Sequence, residues 1–277
     1  MADFPITVSD GIVAAGEAYL HDTPVLRAHA GTQPDLFLRW NEVPLDAAAV
    51  DVVVHLHGFS REGGAMPLAE KVPRSGLDLS RRRRPTLVLL PRGNWLRYSW
   101  YDHPALLAGG IDRLIDFALN RFAEALPVPP AAGFEMDRFV MTAHSGGGMP
   151  AVDAIADARQ PPDELHVFDG LYGRDPVTGD PMRGLETIDR WLAERLAREP
   201  GRRGALRVVY IEQQTGPFSR RVGALITRHL ATMEPALAGN LRRRYRVEPS
   251  AVQHGQIAQR CGPDLLTAAD AEFDWSR

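Results

Sequence analysis

Short, nearly unbroken apolar runs alternate along this chain with longer segments of helical periodicity. Residues 35–40, 50–57, 86–90, 138–142, 165–168, 206–211 and 245–248 are predicted strands. Several are apolar at successive positions, as strands covered on both faces must be. Between them, residues 105–126, 147–158, 185–198 and 218–233 are predicted helices. In the third of these, Ile188, Leu192 and Leu196 recur every four residues, which leaves Glu194, Arg195 and Arg198 largely on other faces. The alternation predicts an α/β architecture: a mostly parallel central sheet with crossover helices on both faces.

Proline clusters, Pro127-Val128-Pro129-Pro130 and Pro161-Pro162, punctuate connections without making a linker, and no repeat of a solenoid or propeller period occurs. A single domain over 1–277 is expected, with at most a small cap inserted at 170–205. Composition agrees: 277 residues, 44% of them hydrophobic, suffice for a substantial core. The net charge of -3 provides no basic field for nucleic acid or an anionic membrane, and neither partner is expected. The arginine runs 81–84 and 242–244 stand before predicted strands, and both are expected on solvated connections. The first residues lack the basic and apolar regions of a signal peptide, and no apolar run approaches the roughly 18–20 residues that span a bilayer. Cys261 is the one cysteine and forms no internal disulfide, in keeping with a reducing compartment. A soluble, cytoplasmic protein is expected.

The chemistry concentrates at Phe139-Val140-Met141-Thr142-Ala143-His144-Ser145-Gly146-Gly147-Gly148, which reads as strand, abrupt turn, helix. A serine hydroxyl lifted clear of a sheet needs a strained turn, with small residues two places on either side; Ala143 and Gly147 meet that need. A glycine-rich turn into a helix also suits phosphate binding by helix amides, but no lysine follows the glycines as a Walker motif requires.

The segment Ala143-His144-Ser145-Gly146-Gly147 resembles the nucleophile elbow of the α/β-hydrolase superfamily, with alanine in place of the usual first glycine. The resemblance implies Ser145 as nucleophile, followed in chain order by an acid and a histidine. After Ser145 come His166, His229 and His254. His166 lies inside an apolar strand and His229 in a helix with Arg228, whereas His254 follows the last predicted strand, where the family carries its base. Asp169, ending its strand beside Gly170, is the expected acid; Glu212 ends the strand after which the family more commonly places it, and Asp175 and Asp180 are further candidates. The resemblance also implies an oxyanion hole from the backbone amides of Gly146 and Phe59, the latter in a His57-Gly58-Phe59 turn.

His55 and His57 alternate on one strand face, as a metal-binding pair would, but no Asp-His pair follows them; no metal and no cofactor are expected. The loop after the strand at 86–90 is rich in aromatic residues. Arg92, Trp95, Trp100 and Tyr101 are expected to line the substrate site, with Arg97 as a second cation for a substrate carboxylate. The implied activity is that of a serine hydrolase that cleaves a carboxylic ester or amide of a small soluble substrate or short peptide through an acyl-enzyme. Peptidase and acyltransferase chemistry use the same constellation. A non-catalytic binding module would keep the fold and the elbow without the reaction.

Overall fold

The structure, a computed structural model, describes residues 4–21, 23–29, 34–58, 67–93, 109–130, 133–172, 184–198 and 204–275. Near the amino end, β1 (Val8–Ser9) and β2 (Ile12–Val13) join the later β5 (Val43–Pro44) in a small three-stranded antiparallel sheet. The main sheet has eight strands: β3 (Gly16–Leu20), β4 (Leu36–Trp40), β6 (Ala49–Leu56), β7 (Thr86–Pro91), β8 (Glu135–His144), β9 (Glu164–Phe168), β10 (Ala205–Tyr210) and β11 (Tyr245–Pro249). Their spatial order is β11-β10-β9-β8-β6-β7-β4-β3. From β7 to β11 neighbours are parallel, and β4 runs antiparallel to both β7 and β3.

Alternate side chains feed two cores. Val52, Val54, Leu87, Leu89, Phe139 and Met141 face one side. There they pack under α2 (Gly110–Glu124), α3 (Gly148–Asp157), α4 (Gly184–Ala197) and α5 (Gly216–Leu230). Val53, Val88 and Val140 face the other, beneath α1 (Leu68–Lys71) and the end of the last helix, α7 (Ile257–Thr267). In α2 the buried Ile111, Leu114, Ile115, Ala118, Leu119 and Phe122 make one apolar stripe, each large side chain contributing about 1.5–3 kcal/mol on burial. The helix begins at Gly110, after Gly109 with its φ of +75°, and residues 105–108 of the expected segment 105–126 lie outside the described residues.

Each expected strand occurs. The elements that the pattern missed have physical reasons. β3 is an edge strand with a half-exposed sequence, α6 (Pro235–Leu241) is less than two turns long, and α7 carries Pro263 inside it. The helix expected within 170–205 is α4, which packs between α3 and α5; its Trp191 and Arg195 bond to the carbonyls of Pro162 and Pro161, ahead of β9. Residues 173–183 and 199–203 lie outside the described residues.

One surface expectation fails. In the run 81–84, the Arg82 side chain is only 8% exposed and pairs with Asp51, itself buried, at 2.6 Å. Arg84 also pairs with Asp51, at 2.9 Å, and with Asp137. The charge pattern alone gave no sign that a buried carboxylate on β6 draws the run inward.

Candidate active site

β8 runs extended to His144, and the chain then turns at Ser145 with φ +51°. A left-handed conformation in a residue with a Cβ costs on the order of 1–2 kcal/mol and persists only where its surroundings enforce it. Those surroundings are backbone. A Cβ at Gly147 would lie 2.1 Å from the Leu56 carbonyl oxygen, and one at Gly148 would lie 2.2 Å from that of Gly170. The turn is therefore wedged between the ends of β6 and β9. The small residue at 147 is needed against the β6 backbone rather than against Ala143. Neither His144, before the turn, nor Gly147, before α3, makes a side-chain cap hydrogen bond.

Into this elbow the chain brings two distant groups. His254 begins a short turn after β11, and its Nε2 lies 2.8 Å from Ser145 Oγ. Its Nδ1 lies 2.6 Å from Asp169 Oδ2. Asp169 follows β9 with φ +46° and is fully buried. Its Oδ1 accepts the Ile211 amide at 2.9 Å and the Thr215 hydroxyl. Burial by itself would push the Asp169 carboxyl upward, but the hydrogen bonds from His254, Ile211 and Thr215 prevail and hold its pKa below the ordinary value. Glu212 is not brought to the histidine: it sits half exposed at the start of the segment after β10 and pairs with Arg220. That segment instead supplies the two donors that hold Asp169.

Three residues that sequence reasoning did not single out complete the surroundings. His144 donates from Nε2 to the His254 carbonyl at 2.8 Å, and the two rings lie 4.8 Å apart. Burial first, and then the neighbouring His254, lower its pKa to about 4, so the ring is neutral near pH 7. Tyr172 places its hydroxyl 3.2 Å from Ser145 Oγ. Lys71, at the end of α1, donates from Nζ to the Gly58 carbonyl at 2.7 Å. His144 lies inside the elbow motif, but nothing in that motif marks its bond to the His254 loop; no sequence motif marks Tyr172 or Lys71, which reach the site from beyond β9 and from α1.

A serine at a strained turn between a central parallel strand and a helix, on a mostly parallel eight-stranded sheet, decides the architecture. The fold is that of the α/β-hydrolase superfamily. The sequence matches no protein-family model and no curated protein. Among solved structures it is similar to fluorophosphonate-binding serine hydrolase F of Staphylococcus aureus, at 12% identity over 94% of this chain and 100% of that one, with a TM-score of 0.49. It is similar to an S-formylglutathione hydrolase from Agrobacterium tumefaciens at 11% identity, over 98% and 99% of the two chains, with a TM-score of 0.45. The feruloyl esterase module from Clostridium thermocellum matches at 13% identity over 93% and 87%, with a TM-score of 0.45. At such identities these likenesses say nothing of substrate.

The remaining candidates fall as follows. His55 Nδ1 bonds to Thr142 Oγ1 at 2.7 Å, and His57 uses Nδ1 on the Gly58 carbonyl and Nε2 on the Gly93 amide. Among the described residues no group of three or more His, Cys, Asp or Glu side chains is arranged to hold a metal ion. His166 is fully buried and bonds to Glu164 at 3.1 Å, while His229, half-buried, pairs with Asp189 at 2.6 Å. Arg92 is buried at the end of β7 with Asp35 as a charged neighbour. Phe59, Trp95, Arg97, Trp100, Tyr101, Asp175 and Asp180 lie outside the described residues. Among the described residues no helix is long and apolar enough to cross a membrane.

Proposed function

We propose that this protein is a serine hydrolase that cleaves a carboxylic ester or amide through an acyl-enzyme on Ser145. The observation that carries this reading is the continuous relay from Ser145 Oγ through both nitrogens of His254 to the buried Asp169 carboxylate, with links of 2.8 and 2.6 Å. A serine hydroxyl at its free pKa is a weak nucleophile; a base within hydrogen-bond reach lets it attack as its proton leaves. His254 Nε2 takes that proton, and Asp169 stabilises the resulting imidazolium while remaining ionised. The Gly146 amide, with that of Phe59, is proposed to receive the developing negative oxygen, a contribution of several kcal/mol to the barrier. His254 then returns the proton to the leaving group, and water repeats the sequence in reverse to free the acid.

The buried carboxylate suits this role. Its hydrogen bonds keep it charged although it is fully buried, so it holds the Nδ1 proton and leaves Nε2 as the acceptor.

The test is covalent labelling with a fluorophosphonate. The wild-type protein is expected to label stoichiometrically and Ser145→Ala not at all. A folded wild-type protein that fails to label overturns the reading and leaves a non-catalytic binding module. Relative rates on esters and peptides of matched acyl group separate esterase from peptidase, and added alcohol acceptors reveal acyl transfer.

A further inference from the structure

Ser145 Oγ has a second partner besides His254: the hydroxyl of Tyr172, at 3.2 Å. The direction of the two bonds follows from the acid. His254 Nδ1 carries its proton toward Asp169, so Nε2 accepts, and the serine's one proton is committed to it. Ser145 Oγ is therefore the acceptor and Tyr172 the donor. The phenol keeps that proton. Burial raises its pKa, outweighing the opposing effect of the bond to Ser145, and the nearby Asp169 charge raises it further.

The position of Tyr172 is fixed by its approach. Three residues past Asp169, it follows Gly170, where a Cβ would lie 2.8 Å from the Ser145 carbonyl oxygen, and Leu171, which is fully buried. It reaches the serine from the β9 side of β8, whereas Gly58 reaches it from the β6 side. His254, which follows β11, belongs to the β9 side too. The base that takes the serine proton delivers it to the leaving group, so the leaving group departs on the side of His254.

We propose that Tyr172 is a catalytic hydrogen-bond donor to the leaving-group oxygen, and that it suits the site to esters of unactivated alcohols rather than to amides. The proposal rests on the serine-hydrolase reading above. When Ser145 Oγ bonds to the carbonyl carbon it becomes an ester-like oxygen and a poor acceptor. The next acceptor is the leaving oxygen, one bond angle away on the same tetrahedral carbon. As the carbon–oxygen bond breaks, its electron pair stays on that oxygen. One lone pair takes the proton from His254 Nε2, and another accepts the Tyr172 hydroxyl, which keeps its own proton throughout. An amide nitrogen at this stage has a single lone pair, which the His254 proton consumes, so the phenol has nothing to accept its bond. In deacylation the attacking water takes the same place: it gives one proton to His254, uses one lone pair on the carbonyl carbon and offers the other to Tyr172.

The test compares Tyr172→Phe with wild type on ethyl acetate, phenyl acetate, 4-nitrophenyl acetate and 4-nitroacetanilide, reading kcat/KM so that acylation alone is measured. The expected loss is on the order of 10- to 100-fold for the ethyl ester, as for other single donors at a transition state, shrinking to about twofold for the nitrophenyl ester and the anilide. For the nitrophenyl ester, kcat falls more than kcat/KM, because water loses its donor. An equal loss on every substrate, as a packing role would give, overturns the proposal, as does no loss or a wild-type preference for the anilide over the ethyl ester. Replacing Tyr172 by 3-fluorotyrosine keeps ring and hydroxyl, and is expected to retain the ethyl-ester rate that Tyr172→Phe loses; loss of both overturns the proposal. Fluorophosphonate labelling separates the two failures: wild type that does not label refutes the hydrolase, and wild type that labels without the leaving-group trend refutes the role of Tyr172.

Discussion

Gly58 and His144 meet so closely that the imidazole occupies the space a side chain at 58 would need: a Cβ there would lie 2.8 Å from His144 Nδ1. The same Cβ would lie 2.8 Å from Ser145 Cβ. On its far side the ring donates from Nε2 to the His254 carbonyl. One neutral imidazole thus touches the turn after β6, the elbow and the loop of the base. Gly58→Ala is expected to push these apart and to lower kcat/KM by about 100-fold, the scale of losing one oxyanion donor. Steady-state kinetics beside a circular dichroism melt checks it; a folded variant with wild-type turnover contradicts it.

The assignment of the acid separates sharply by mutation. Asp169→Asn leaves the shape but favours the wrong tautomer of His254, and kcat is expected to fall roughly 1,000- to 10,000-fold. Glu212→Gln removes only a half-exposed pair with Arg220 and is expected to stay within about twofold. Thr215→Val deletes one of the donors to Asp169 and is expected to cost about tenfold. The three turnover numbers, measured on one activated ester, decide it, and the reverse ranking of Asp169 and Glu212 refutes the triad.

Stability is expected to fall in acid, and the sign follows from His144. Its pKa is lowered from 6.5 to about 4, so between those values the unfolded chain binds a proton that the folded one does not. Stability therefore declines as pH drops from 6.5 toward 4, by an amount on the order of a few kcal/mol. His55, lowered to about 3, acts in the same direction over a wider window. Asp169, held below its ordinary pKa, loses its share as pH falls through its folded value. Urea midpoints measured from pH 7 to pH 4 should show the decline, and His144→Asn should flatten it; an unchanged slope in that variant refutes a buried neutral His144.

The sheet was legible because strands buried on both faces leave continuous apolar runs, and Ser145 was legible because a strand, a sharp turn and glycines fall together in sequence. His254 could be read from its place after the last strand. Asp169 and Glu212 could not be separated on those terms, since both end strands; what distinguishes them is which carboxylate lies under the ring, a fact of strand spacing. Tyr172, Lys71 and the inward turn of Arg82 left no trace for the same reason. Their partners, Ser145, Gly58 and Asp51, are remote in sequence and meet them only across neighbouring strands or a helix.

Lys71 is expected to give the site an alkaline limit. Its ammonium donates to the Gly58 carbonyl, which also receives His57 Nδ1. A trans peptide is planar, so a hold on that carbonyl is expected to carry to the amide of the same peptide, the one proposed as oxyanion donor. Burial first, then the like charge of Arg74, lowers the Lys71 pKa to about 8 despite the opposing Glu70. Below pH 8 the charged donor both orients and polarises the peptide; above it the amine is neutral and that hold weakens. The profile of kcat/KM is therefore expected to fall as pH rises through about 8 in the wild type. Lys71→Arg, which stays charged, should remove that limb, and Lys71→Met should lower activity about tenfold below pH 8, with a smaller deficit above it, and leave no limb. A limb that survives in both variants belongs to another group and refutes this role for Lys71.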